Sequence, residues 1–297
     1  MHRIETGIVM TVFAIILCIY GAVVTSAHAG LVDDLPSCYA VTHIRPRTEP
    51  YTHLIYILMD QTVQLPLSLE QSSVDNALRM LLPGTKFVIT EFSAFSQRHF
   101  LRVMHTGIIE RPLSERRVGS TPIIADQKLN ACLAYQMRLA REMVAITMVR
   151  VMKSSTSSLD QSDIMLAFKT VSRVVGRDPA KYRVVFAITD GLENSSVTTF
   201  YGDGGVRVIN PAHEIALAAA NHLFGNFGGA SVYVLGGAVM PPAQHGTLAQ
   251  INGYRDPQVL FHLKEFWKEY FQKSNAHLRQ FGEPALVSPA SYTGTSY

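Results

Sequence analysis

The sequence predicts an α/β domain built on a mostly parallel sheet with helices on both faces. Three observations carry this reading. Short apolar runs at 53–59, 182–189 and 230–235 have the length and composition of strands buried on both faces. Segments with helical spacing alternate with them, as the crossovers of a parallel sheet require. Two of the runs also stop at an aspartate in a turn, Asp60 and Asp190, at the edge where such sheets bind ligands.

Residues 1–29 read as an export signal. His2 and Arg3 precede an uncharged apolar run at 7–24, and Ser26-Ala27-His28-Ala29 offers small residues at the −3 and −1 positions of a cleavage site. Cleavage after Ala29 is the expectation. The alternative is an uncleaved anchor, since the run nearly spans a bilayer. Either way the chain from residue 30 lies outside the cytoplasm, periplasmic or secreted, and meets the membrane only through an uncleaved segment. With Cys18 inside the apolar run, Cys38 and Cys132 remain as an even pair in an oxidising compartment. They are expected to form a disulfide pinning the arm at 30–50 onto a later helix; two buried free thiols are the alternative.

The domain proper is placed at 51–282. After the strand at 53–59 and a polar loop, a helix starts near Ser72 and carries Val74, Ala77, Leu78 and Leu81 on one face until Pro83-Gly84 stops it. The next strand, 86–92, is expected to pair with 99–105 through a turn at Ser96-Gln97. Residues 107–125 read as loop, with Arg111, Arg116 and Arg117 a solvated basic cluster. Good helix formers fill 126–153. A serine-rich break follows, and Ser162 is read as the cap of a helix ending at Val175. The strand at 182–189 leads to a hairpin at 198–209, a helix at 211–223 and the strand at 230–235. No sixth strand is evident after Val234, where 236–253 is a Gly/Pro-rich connection. The last helix is capped by Asp256, takes Pro257 in its first turn and buries a stripe from Val259 to Phe271. Residues 283–297 are expected to be a flexible tail.

Composition narrows the function. The formal charge of +3 on 297 residues is too small to argue for nucleic acid. There is no G-x-S-x-G elbow and no P-loop, and the glycines at 225–229 precede a strand where a dinucleotide fingerprint would open a helix. His99, His105, His213, His222 and His245 show no paired metal-ligand spacing. The chain is therefore read as a non-enzyme. A metal-dependent hydrolase around Asp60 and Asp190 is the weaker alternative, with no general base or nucleophile visible beside them.

The two acidic turns are Met59-Asp60-Gln61-Thr62 and Ile188-Thr189-Asp190-Gly191. Carboxylates brought to one edge repel unless protons or a cation offset them. Hydroxyls added from Thr62 and from a third loop would make an oxygen-rich site suited to Mg²⁺ or Mn²⁺. Asp60-x-Thr62 resembles the start of the D-x-S/T-x-S metal-adhesion motif of von Willebrand factor type A domains, and Thr189-Asp190-Gly191 resembles that family's T-D-G signature. Ser162, in Gln161-Ser162-Asp163-Ile164, matches the family's hydroxyl ahead of a helix. The resemblance implies a Rossmann-like three-layer fold with one antiparallel edge strand. It also implies metal ligation by Asp60, Thr62, Ser162 and Asp190, and engagement of a partner protein's acidic group through the ion. Gln64 stands where the family has its second serine, so its amide oxygen or a water would take that place. The third loop lacks the family's Gly-Gly. Glu193, Asn194 and Ser195 either shape the rim of the site or close the turn into the hairpin. A metal-independent scaffold subunit of a cell-envelope or secretion assembly is the alternative function.

Overall fold

The computed structural model describes residues 33–93, 101–156, 161–202, 205–240 and 256–292. The expected export segment at 1–29, the turn at Ser96-Gln97, His99 and His245 lie outside the described residues. Strands β1 (His53–Asp60), β2 (Thr85–Phe92), β3 (Leu101–Ile109), β4 (Tyr182–Ile188), β7 (Ala230–Leu235) and β8 (Ala276–Phe281) form a six-stranded sheet in the order β3-β2-β1-β4-β7-β8. All neighbours are parallel except β3, which runs antiparallel to β2 at one edge. The minor strands β5 (Tyr201–Gly202) and β6 (Gly205–Val206) form a hairpin outside this sheet. The expected fold class, with its single antiparallel edge strand, is thus present.

Strand periodicity divides the core into two layers. Leu54, Tyr56 and Leu58 of β1 point to one face, where α5 (Ile164–Val175), α6 (Pro211–Ala220) and α7 (Pro257–Lys273) lie. Ile55, Ile57 and Met59 point to the other, against α2 (Leu67–Arg79) and α4 (Ile123–Ser154). Both faces of β1 are buried, which is why its sequence is a continuous apolar run without alternation. The α7 stripe packs as expected: Phe168 of α5 meets the rings of Phe271 at 4.8 Å and Trp267 at 5.4 Å. Each such ring withdrawn from water contributes roughly 1.5–3 kcal/mol. Asp256 caps α7 by accepting from the Gln258 N–H at 2.8 Å, and Asn210 caps α6 through the His213 N–H.

Several elements differ from the sequence reading. Helix α2 begins at Leu67, ahead of the expected start near Ser72; Leu67 and Ser68 of its first turn are exposed and add nothing to the buried stripe. Strand β3 runs on to Ile109, where 107–125 was expected to be loop; α3 (Glu115–Val118) and the start of α4 also fall in that range. A sixth sheet strand does exist. Strand β8 follows α7 and pairs with β7, and as an edge strand its middle is exposed or half-buried, so Ala-His-Leu-Arg-Gln-Phe carries no apolar run.

The segment 283–297, expected to be a flexible tail, is instead anchored to the domain at Ala290 and Tyr292. Asn76 Oδ1 accepts from the Ala290 N–H at 2.9 Å, and the hydroxyl of Tyr292 donates to the Met80 carbonyl at 3.1 Å. Tyr292 is buried against His53, with ring centroids 4.6 Å apart. The expected disulfide is also present: Cys38 in α1 (Cys38–Val41) is bonded to Cys132 in α4, with Cα atoms 5.6 Å apart. Tyr39, Leu113 and Leu129 pack around it as a small third core.

Candidate functional site

Strand order reverses between β1 and β4, and their carboxyl ends meet there, with Met59 beside Ile188. Ligands of doubly wound sheets bind at this position. Asp60 is the last residue of β1, and Thr189 and Asp190 directly follow β4. Both aspartates are buried, 3% and 4% exposed.

Burying a carboxylate is costly unless donors surround it, and Asp60 is well supplied. Its Oδ1 accepts from the Thr62 N–H at 3.0 Å and the Thr62 hydroxyl at 2.7 Å. Its Oδ2 accepts from the Thr189 hydroxyl at 2.8 Å and the Ser162 hydroxyl at 3.2 Å. Asp190 has fewer donors: the Leu192 N–H on Oδ1 at 2.9 Å, and the Tyr201 hydroxyl on Oδ2 at 3.1 Å. Burial pushes both carboxyls above their ordinary range. For Asp60 the bonds from Thr62, Thr189 and Ser162 oppose that push. For Asp190 the charge of Asp60 adds to it, so Asp190 is raised furthest and holds a proton more tightly.

Ser162 reaches the pair because its loop is stitched to the loop after β4. The Ser162 N–H donates to the Asn194 carbonyl at 2.9 Å, and the Asn194 N–H donates back at 3.1 Å. Ser162 is not the helix cap that the sequence suggested, since its hydroxyl is committed to Asp60. Glu193 serves the helix start instead, accepting from the Met165 N–H at 2.9 Å. Glu193 is 1% exposed, and burial is the main cause that lifts its carboxyl to about 8, with the charge of Asp163 adding to it. Glu193 and Asn194 therefore close the turn into the hairpin. Ser195 also serves the turn, its hydroxyl accepting from the Val197 N–H at 3.3 Å.

Gly191 is required where it stands. Its φ of +69° lies in the left-handed region, and an added Cβ would sit 2.8 Å from the Trp267 indole nitrogen. That nitrogen donates to the Gly191 carbonyl at 2.9 Å, fixing the Asp190 turn to α7.

The structure brings Asp60, Thr62, Ser162 and Asp190 to one place. Gln64 is engaged elsewhere: it is exposed, and its amide nitrogen lies 3.4 Å from the Ser155 carbonyl beyond the end of α4. Two contributors are not among the ligands that the sequence proposes. Thr189 was visible as part of the T-D-G signature. Tyr201 carries no local signal and arrives only because the β5–β6 hairpin folds over Asp190, with Phe200 packed on Phe266 at 5.1 Å between centroids. Burial, and then the charge of Asp190, push the Tyr201 hydroxyl well above its ordinary range.

The donors are all oxygen, two carboxylates and several hydroxyls, which suits a hard divalent cation such as Mg²⁺ or Mn²⁺. Among the described residues no group of three or more His, Cys, Asp or Glu side chains could hold a metal ion. Any cation at this edge therefore depends on the aspartate pair with its hydroxyls and water. Among the described residues, no helix is long and apolar enough to cross a membrane.

No protein-family model matches the sequence, and no curated protein matches it. Among solved structures, an aerotolerance-related membrane protein from Bacteroides fragilis is 15% identical, with 76% of this chain and 90% of that one covered and a TM-score of 0.33. BatB from Bacteroides thetaiotaomicron is 17% identical over 77% of this chain and 90% of its own, with a TM-score of 0.31. Proximal thread matrix protein 1 from the mussel byssus is 14% identical over 76% of this chain and 49% of its own, with a TM-score of 0.33. The fold assignment rests on the strand order and registers above.

Proposed function

We propose that this chain is an exported protein-binding module of the von Willebrand factor A type, whose Asp60–Asp190 edge engages an acidic group of a partner with the help of Mg²⁺ or Mn²⁺. One observation carries the reading: three separate loops deliver Asp60, Thr62, Ser162 and Asp190 to one point where the strand order reverses. The Cys38–Cys132 bond supports an oxidising compartment and thus export.

The chain's own residues divide the work. Asp60 and Asp190 supply the negative charge that would hold the ion. Thr62 and Ser162 orient the Asp60 carboxylate through their hydroxyls and have lone pairs left for ligation. When bound, the cation offsets the repulsion of the pair and offers an open coordination position to a carboxylate of the partner. Gly191 and the Ser162–Asn194 bridge keep the loops from drifting apart.

Calorimetric titration with Mg²⁺ and Mn²⁺ tests this reading against an Asp60→Ala variant shown to be folded by circular dichroism. Saturable heat in the parent and none in the variant is expected; identical traces remove the metal. Capture of partners from the cell-envelope fraction, with and without chelator, then separates two functions. The second is the metal-independent scaffold, and the contact of Tyr201 with Asp190 favours it, because the hydroxyl already occupies Oδ2 of Asp190. Partner capture that survives chelation supports the scaffold.

A further inference from the structure

The basic loop read as solvated in the sequence forms part of a cleft. Arg45, Arg47, Arg111 and Arg117 line it together with Thr48, Glu49 and Ser114, around a volume of about 440 Å³. It lies by Gly84 and the start of β1, whereas the aspartate pair sits where β1 ends. The two sites are therefore at opposite edges of the sheet.

Three of the arginines are placed by bonds to backbone carbonyls. Arg47 donates to the Pro112 carbonyl at 3.1 Å, Arg111 to the Glu49 carbonyl at 2.6 Å and Arg117 to the Arg45 carbonyl at 2.5 Å. None of the four takes part in a salt bridge among the described residues. A guanidinium has five N–H donors, so most of this donor capacity is directed at the cleft or solvent. Arg111 is the most constrained. Its aliphatic stem crosses Gly84, where an added Cβ would lie 2.6 Å from Cδ, and Tyr39 donates to its backbone carbonyl at 2.6 Å. Its Nε is buried and has no hydrogen-bond partner. Burial and then the charge of Arg47 disfavour its charged form. The neighbouring acid Glu110 cannot relieve this crowding, because it is taken up by Ser37, Cys38 and Gln136. Among the described residues, Glu49 is the one carboxylate in the lining.

Three anchored guanidiniums, with Arg45 as a fourth arginine in the lining against Glu49, form a receptor for an anion. Planar guanidinium forks match the oxygens of a phosphate group. The volume exceeds that of a bare ion and falls in the range of small-molecule sites. We infer that this cleft binds a phosphate monoester, either free or as a lipid headgroup. The inference stands whether or not the aspartate pair takes a cation.

Two probes of the full, unreduced chain separate the sources: titration with glycerol 3-phosphate, and cosedimentation with phosphatidic-acid vesicles against phosphatidylcholine vesicles. Saturable binding is expected, weakened about tenfold or more by Arg47→Ala and by Arg111→Ala. Arg116→Ala, which removes the same charge from outside the cleft, should stay within about twofold of the parent. Binding of the free ester identifies a soluble ligand, and binding of the vesicles alone with the same arginine dependence identifies a headgroup; both support the site. Should Arg111→Ala fail to fold, half-exposed Arg47 still decides. Failure of both probes, or an equal loss in Arg116→Ala, overturns the inference.

Discussion

The hydroxyl of Tyr201 donates to Oδ2 of Asp190 across 3.1 Å, so a two-stranded hairpin closes over the more strongly proton-holding member of a buried aspartate pair. The contact serves the pair as a hydrogen bond but competes with any cation for the same oxygen. Tyr201→Phe removes the competitor and keeps the ring. Affinity for Mg²⁺ or Mn²⁺ is expected to rise several-fold, up to about tenfold for one bond to a charged group. Calorimetric titration of parent and variant checks this, and an unchanged affinity would show that the hydroxyl does not compete.

Asp190→Asn removes one of two buried like charges. Burial and the charge of Asp60 raise the Asp190 pKa in the folded state. The unfolded chain therefore releases this proton more readily than the fold does, and stability falls as pH rises above the ordinary carboxylate value. The variant should melt several degrees higher than the parent in chelator, a gain on the order of 1 kcal/mol. It should also lose any Mg²⁺-dependent shift. Thermal melts with chelator and with Mg²⁺ measure both effects.

Glu193 gives the clearest pH signature. Its folded carboxyl titrates at about 8 against an ordinary 4.5. Between these values the unfolded chain has released a proton that the fold retains, so stability falls as pH rises through that window and levels off above it. Glu193→Gln should flatten the fall. Parent and variant should be similar near pH 4.5 and differ by roughly 4 kcal/mol near pH 8.5. Urea unfolding at the two pH values measures the difference, and parallel curves would contradict the assignment.

The Cys38–Cys132 bond closes a sequence separation of 94 residues. Replacing both cysteines with serine should cost about 2–4 kcal/mol, chiefly by releasing the unfolded chain. Urea midpoints of the double variant and of the reduced parent should agree; a midpoint matching the oxidised parent would show that the bond adds no stability.

Elements wholly inside the protein were the most legible in the sequence. Strands β1, β4 and β7 are apolar along their length because helices cover both sides, and the Asp60 and Asp190 turns stand out at their ends. Strand β8 was hidden because an edge needs no such run. Ser162 was given the wrong partner for a similar reason. Local spacing proposes a helix cap, but the hydroxyl is claimed by Asp60, a residue 102 positions away. Tyr201 and Tyr292 are placed by tertiary packing alone, so neither periodicity nor a motif could announce them. Arg45 and Arg47 belong with Arg111 and Arg117 only once β3 returns to the start of β2, which the reading of 107–125 as loop concealed.

The disulfide also decides how the chain would answer a pull. Tension applied at its two ends would enter at Cys38, cross the sulfur bridge and leave at Cys132. The intervening segment, with β1, β2, β3 and the Asp60 carboxylate, would carry none of that force along its backbone. Roughly 300 Å of contour length is thereby withheld from extension. Half of the aspartate pair thus sits on slack protected by a covalent shortcut, while Asp190 sits on the segment that a pull reaches.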